Sequence, residues 1–201
     1  MNFHAGRKLA PVMVAAALAL TVGLEARAAG AKDTVNHIIA TFASTQDTGA
    51  IANQLSGLID FQKIAQLAFA PAQWKQFSAQ DQKQIVTTFR ELIEKRYYPR
   101  WHKLFSKSKV EVADEATSAG SHFVRTYVNH GKEKDSVIWR LQDDNGNLAV
   151  VDLNVNGKGL DARLGERVQT RLTKEGARKF VSWLKEQARS ETADNGSKSN
   201  M

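Results

Sequence analysis

Apolar residues recur every three or four positions from Val35 to Phe105 and every second position from Val110 to Val155, so the chain changes period once. The first half predicts helices. Val35, Ile38, Ile39 and Phe42 share a helical face behind Asp33 or Thr34 as cap. A polar break over Gln46 to Gly49 leads to Ile51, Leu55, Leu58 and Ile59 in a short second helix. Asp60 is the expected N-cap of a third, with Phe61, Ile64, Ala65 and Ala68 on its apolar side and Pro71 ending it. Ser78 and Asp81 form a capping-box signature before a long helix. Ile85, Phe89, Leu92, Ile93 and Tyr97 line one side of that helix, while Lys83, Arg90, Glu94 and Lys95 mostly take the other. Pro99 predicts a kink or a restart.

After Phe105 the period is that of strands. Val110 and Val112 belong to the first, and Thr117 to Gly120 reads as a turn. In Ser121 to His130, the side chains of His122, Val124, Thr126 and Val128 point one way. Gly131 to Lys134 is the expected hairpin loop into Asp135 to Leu141, where Val137, Trp139 and Leu141 share a face. Asp143 to Asn147 is the strongest turn signal in the chain. Leu148 to Val155 follows, with Ala149, Val151, Leu153 and Val155 aligned on one side. Asn156 to Gly159 breaks this strand. Helices are expected over Leu160 to Leu172 and Lys174 to Ala188, the second with Phe180, Val181 and Leu184 on one face. The expected class is α+β, with N-terminal and C-terminal helices packed on a four-stranded antiparallel sheet.

The two ends alter this picture. Arg7 and Lys8 precede an apolar run from Leu9 to Leu24, and Ala26-Arg27-Ala28 supplies small residues for cleavage, so residues 1–28 read as a secretory signal peptide. The run is too short for the roughly 20 residues of a spanning helix. Residues 190–201 are almost wholly polar and read as a disordered tail, leaving 29–189 as one domain. The expected compartment is the periplasm, and the expected state a monomer. The chain has no cysteine, which excludes disulfides and thiolate metal sites. Its formal charge is +7; the signal holds three cations against Glu25, a net +2, which leaves +5 for the mature protein. That bias suits anionic lipid surfaces or acidic partners, and export argues against nucleic acid.

No catalytic constellation stands out. His37, His102, His122 and His130 are scattered, and the last two lie roughly 26 Å apart along one strand, too far to share a metal. Asp60 fits a cap better than a general base. Asp143-Asp144-Asn145-Gly146 has only part of a calcium loop's ligand spacing and lacks its closing Glu. Asp152 interrupts an apolar strand, so it faces solvent, pairs with a cation such as Arg125 or Arg140, or lines a site; a structural pair is the preferred reading.

Taken together, Asp60-Phe61, Ala65, Trp74, Ser78, Gln82, Phe89, Leu92 and Tyr97, with the later Val151-Asp152-Leu153-Asn154-Val155-Asn156-Gly157, resemble the MlaC, or toluene-tolerance, family of periplasmic phospholipid-binding proteins. The resemblance implies a non-enzymatic carrier, without cofactor or metal, that shuttles phospholipid between a membrane-bound transporter and an outer-membrane lipoprotein complex and so maintains outer-membrane lipid asymmetry. It turns the ordinary core stripe into a pocket lined by Phe89, Ile93, Tyr97, Val124, Val128, Trp139, Leu141, Val151 and Leu153. Leu148 stands where the family has a Trp, and Leu164-Gly165 where it has Tyr-Arg, which leaves room for a hopanoid-associated branch carrying a polycyclic lipid. From the residues alone, an adaptor with a filled core and a hydrolase or isomerase on a cone-shaped α+β fold remain open.

Overall fold

The computed structural model describes residues 30–144 and 147–160, together with 162, 165, 166, 168, 170–172, 174 and 179–186. The expected signal peptide, the centre of the expected turn at Asn145-Gly146, parts of the expected C-terminal helices and the expected tail lie outside the described residues.

Among the described residues, six helices precede the sheet: α1 (Ala31–Ser44), α2 (Thr48–Gln54), α3 (Phe61–Leu67), α4 (Pro71–Trp74), α5 (Ala79–Arg96) and α6 (Tyr98–Phe105). Their boundaries follow local chemistry. Gly30, not Asp33 or Thr34, is the N-cap of α1; Asp33 lies in the first turn, where its charge suits the helix dipole. Asp47 caps α2 by accepting from the Gly49 and Ala50 amides. Asp60 caps α3, its Oδ1 accepting from the Lys63 amide at 2.8 Å. Pro71 does not simply end α3: it occupies the first turn of α4, where its missing N–H would have been unpaired anyway. Ser78 caps α5 through the Asp81 amide at 3.1 Å. Pro99 produces a restart, for α5 ends at Arg96 and α6 begins at Tyr98. Gln82 then ties the long helix to the preceding loop, donating to the carbonyls of Trp74 and Phe77.

The sheet is an antiparallel meander of five strands: β1 (Lys109–Ser118), β2 (Ser121–His130), β3 (Glu133–Asp144), β4 (Asn147–Val155) and β5 (Lys158–Gly159), in sequence order. The fifth strand corrects the four-strand expectation. Asn156 and Gly157 both have positive φ, 53° and 85°, and make the tight two-residue turn that folds Lys158–Gly159 back on β4. Elsewhere the turns are also shorter than expected. β1 runs through Thr117 and Ser118, leaving Ala119-Gly120 to turn, and β3 begins at Glu133.

Two bulges break the register. One extra residue lies in β1 between Val112 and Glu115, and a second in β4, where Arg140 opposes Asp152 but Leu141 opposes Val150. Val151 is therefore unpaired, and the expected alignment of Ala149, Val151, Leu153 and Val155 on one face does not hold. Beside this bulge, the segment before α3 covers the edge of β4: Val150 donates its amide to Leu58 and its carbonyl accepts from Asp60. Asp60 thus joins the helical layer to the sheet while capping α3.

One contiguous core fills the space between the layers. Ile38 and Phe42 of α1, Ile64 of α3, Phe89 and Ile93 of α5, Tyr98 and Phe105 of α6 meet Val124, Val128, Trp139 and Leu141 of the sheet. Residues 179–186 are helical and add Phe180, Val181 and Leu184. Among the described residues, no helix is long and apolar enough to cross a membrane.

Candidate functional site

The inner layer contains a narrow cavity of about 20 Å³. Ile38 and Phe42 of α1, Ile59 before α3, Ile64 of α3, Ile93 of α5 and Trp101 of α6 line it together with Trp139, Val150, Asp152 and Leu153 of the sheet, and Leu160. That volume suits about one water molecule, whereas ligand pockets typically measure on the order of 300–1,000 Å³. The cavity is thus a seam between packed layers. Aromatic rings hold the seam: Phe42 meets Tyr98 edge-on at 5.0 Å and Trp101 at 5.3 Å, and Phe105 stacks on Trp139 at 6.1 Å.

Of the nine pocket residues expected from sequence, Ile93, Trp139 and Leu153 line this cavity. Phe89, Val124, Val128 and Leu141 belong to the surrounding core, and Tyr97 packs half-buried against it. Val151 is 1% exposed but lies outside the contiguous core; Val150 takes the inward place opposite Leu141. The α1 pair, Ile38 and Phe42, was legible as a core face but not as cavity lining. Trp101 and Ile64 also follow the helical period of their own segments.

Polar groups at the seam are few and each has a structural setting. Trp139 donates Nε1–H to Thr126 Oγ1 at 3.0 Å, so the indole keeps a partner while its ring faces the cavity. His102 Nδ1 lies 2.8 Å from the Phe42 carbonyl, a contact between α6 and the last turn of α1. With Nδ1 protonated, the imidazole donates to a carbonyl that the helix itself leaves without a partner. Asp152, 9% exposed, sits directly opposite Arg140 in the register, while Arg125 pairs with Asp114 at 3.6 Å. Burial pushes the Tyr98 phenol well above the usual range, with Glu94 adding to the shift, so it stays protonated at neutral pH.

A larger hollow lies elsewhere. It is an open groove of about 520 Å³ along α5, lined by Gln80, Lys83, Gln84, Thr87, Thr88, Glu91 and Lys185. Its walls are mainly polar and carry Lys83, Glu91 and Lys185, so the apolar seam is the better candidate for a hydrocarbon despite its size. Among the described residues no three His, Cys, Asp or Glu side chains converge to hold a metal. His122 pairs with Glu115 at 3.0 Å and His130 with Asp135 at 2.8 Å, at separate points of the sheet.

Comparison with known proteins adds two positive findings. A phospholipid-binding protein from Ralstonia solanacearum, solved in complex with a phospholipid, shares the fold with a TM-score of 0.70 at 20% identity, over 80% of this chain and 96% of its own. No curated protein matches the sequence. The family described as MlaC protein matches residues 32–186, nearly all of the helical layer, the sheet and the described residues that follow it. On that match, the chain belongs to the MlaC family.

Proposed function

We propose that this protein binds a phospholipid by parting the elements around its apolar seam, α1 from α6 and both from the sheet, so that acyl chains replace the side-chain contacts now closing it. The observation that carries the proposal is the seam itself, walled among the described residues by aliphatic and aromatic side chains, with Asp152 the one ionisable group among them. The lipid-bound neighbour of the same fold supports the choice of ligand.

The energetics suit a carrier. Each CH₂ taken from water is worth about 0.8 kcal/mol, so a two-tailed lipid does not travel free. Transfer from a bilayer into an apolar seam exchanges one hydrocarbon surrounding for another, and most of that term cancels. Direction then comes from the partners. The finer reading is a monomeric periplasmic shuttle, exported by the segment 1–28, that moves phospholipid between inner- and outer-membrane complexes and performs no catalysis.

The competing reading is an adaptor whose core never opens, and the small volume of the seam favours it. Phospholipids brominated along their tails decide between them, because Trp101 and Trp139 line the seam whereas Trp74 and Trp183 belong to the cluster around Phe69 and Phe180. The carrier reading predicts quenching of the protein's fluorescence that is mostly lost in folded W101F/W139F. Absence of quenching, or quenching untouched by the double change, would sink it.

A further inference from the structure

The segment from Lys95 to Lys109 contains six Lys or Arg residues and no acid. It spans the end of α5, all of α6 and the entry to β1. Within it Arg100, Lys103 and Lys107 recur at three and four residues, so they share a face of α6 and its following turn, and all three are exposed, as is Lys109. The opposite side is anchored, for Tyr98 and Phe105 are buried in the core. Between these faces lie Tyr97, Trp101 and Leu104, half-buried. Tyr97 and Trp101 pack on one another at 5.8 Å. The nearest preceding acid, Glu94, is engaged by Arg90 at 2.7 Å.

We infer that α6 and its flanks form a docking surface for an anionic lipid bilayer. Two features select a bilayer over an acidic protein. Cations on one helical face, flanked by partly exposed Tyr, Trp and Leu, are the arrangement of a helix lying at a membrane interface, where rings sit at head-group depth. Trp101 also lines the apolar seam, so docking through this face brings the cavity wall to the lipid surface. The inference goes beyond cargo binding, and its test does not require cargo transfer.

The test is sedimentation of the full mature protein with vesicles of phosphatidylcholine and phosphatidylglycerol in equal amounts, against phosphatidylcholine alone. Each Lys or Arg at an anionic surface contributes on the order of fivefold, so R100Q/K103Q/K107Q binds about a hundredfold more weakly than wild type. K83Q/K179Q/K185Q removes the same charge outside this segment; Lys83 lies thirteen residues before Arg96 on α5, about 20 Å away, Lys185 shares its groove, Lys179 is exposed on the helix of Lys185, and this variant binds as wild type. Added salt weakens wild-type binding. Equal losses in the two variants would overturn the inference, reducing it to net charge. So would equal binding to both vesicle types, or none to either. In the last case, salt-sensitive binding to soluble poly-glutamate would assign the face to an acidic protein. Phospholipid that copurifies with the protein is measured in parallel; a protein that retains it yet ignores vesicles loses the docking surface but not the binding function.

Discussion

Replacing His102 by Ala removes the contact that clasps α6 to α1 beside the seam. In the native protein His102 Nδ1 lies 2.8 Å from the Phe42 carbonyl, within the last turn of α1. Phe42 and Trp101, the neighbour of His102, both line the cavity. A neutral hydrogen bond at a half-buried site contributes about 1 kcal/mol, because the freed carbonyl regains part of its bonding from water. The change should lower the melting temperature by about 2–4 °C. If acyl chains enter by separation of α1 from α6, the same energy is lost from the closed state and release accelerates about fivefold. His102→Asn keeps an N–H donor at nearly the same place and should restore the native rate. The assay is stopped-flow transfer of a fluorescent-tailed phospholipid from protein to acceptor vesicles, with melting followed in parallel. A destabilised His102→Ala protein that releases lipid at the native rate would refute the clasp, as would an Asn variant as fast as Ala.

Ala119 has φ of 48° in the β1–β2 turn, a conformation that disfavours a side chain, so Ala119→Gly should stabilise the protein by about 0.5–1 kcal/mol in urea denaturation. Asp60→Ala removes the cap of α3 and should cost about 1 kcal/mol by the same measurement. Asp135 is held below the usual aspartate range, first by Asn156, whose Nδ2 donates to it at 2.6 Å, and then by His130. Its folded pKa is depressed, so its contribution is present above about pH 4, the unfolded value, and is lost as pH falls through the folded one. The stability gap between wild type and Asp135→Asn should therefore be open at neutral pH and close in strong acid; a gap independent of pH would contradict this. Phe42→Ala should cost about 3–5 kcal/mol, since the ring is fully buried among Tyr98, Trp101 and Phe105.

The helical half was legible because burial there follows one unbroken period. Val35, Ile38, Ile39 and Phe42 are buried as their spacing requires, and so are Ile85, Phe89, Leu92 and Ile93. In the sheet, alternation located Val124, Val128, Val137, Trp139 and Leu141, and failed at β4. A bulge inserts one residue without a mark in the apolar pattern, so Val150 and Val151 exchanged their expected places. β5 was missed although Asn156-Gly157 carries the residue types of a tight hairpin turn; Lys158-Gly159 is too short and too polar to read as a strand. Cavity residues were harder still. Periodicity tells which side chains are buried, and only packing of α1 and α6 against the sheet decides which border the seam. Thus Ile38, Phe42 and Trp101 are lining residues whose sequence signal is ordinary core.

Native mass spectrometry of protein purified without detergent from its own cell envelope tests the central claim most directly. Binding in the seam predicts a mass increment of one phospholipid, retained through gentle ionisation and confirmed by extraction, and diminished in folded W101F/W139F. Protein that emerges from its native source at its bare mass, with no lipid in the extract, would contradict the carrier reading and leave the closed adaptor in its place.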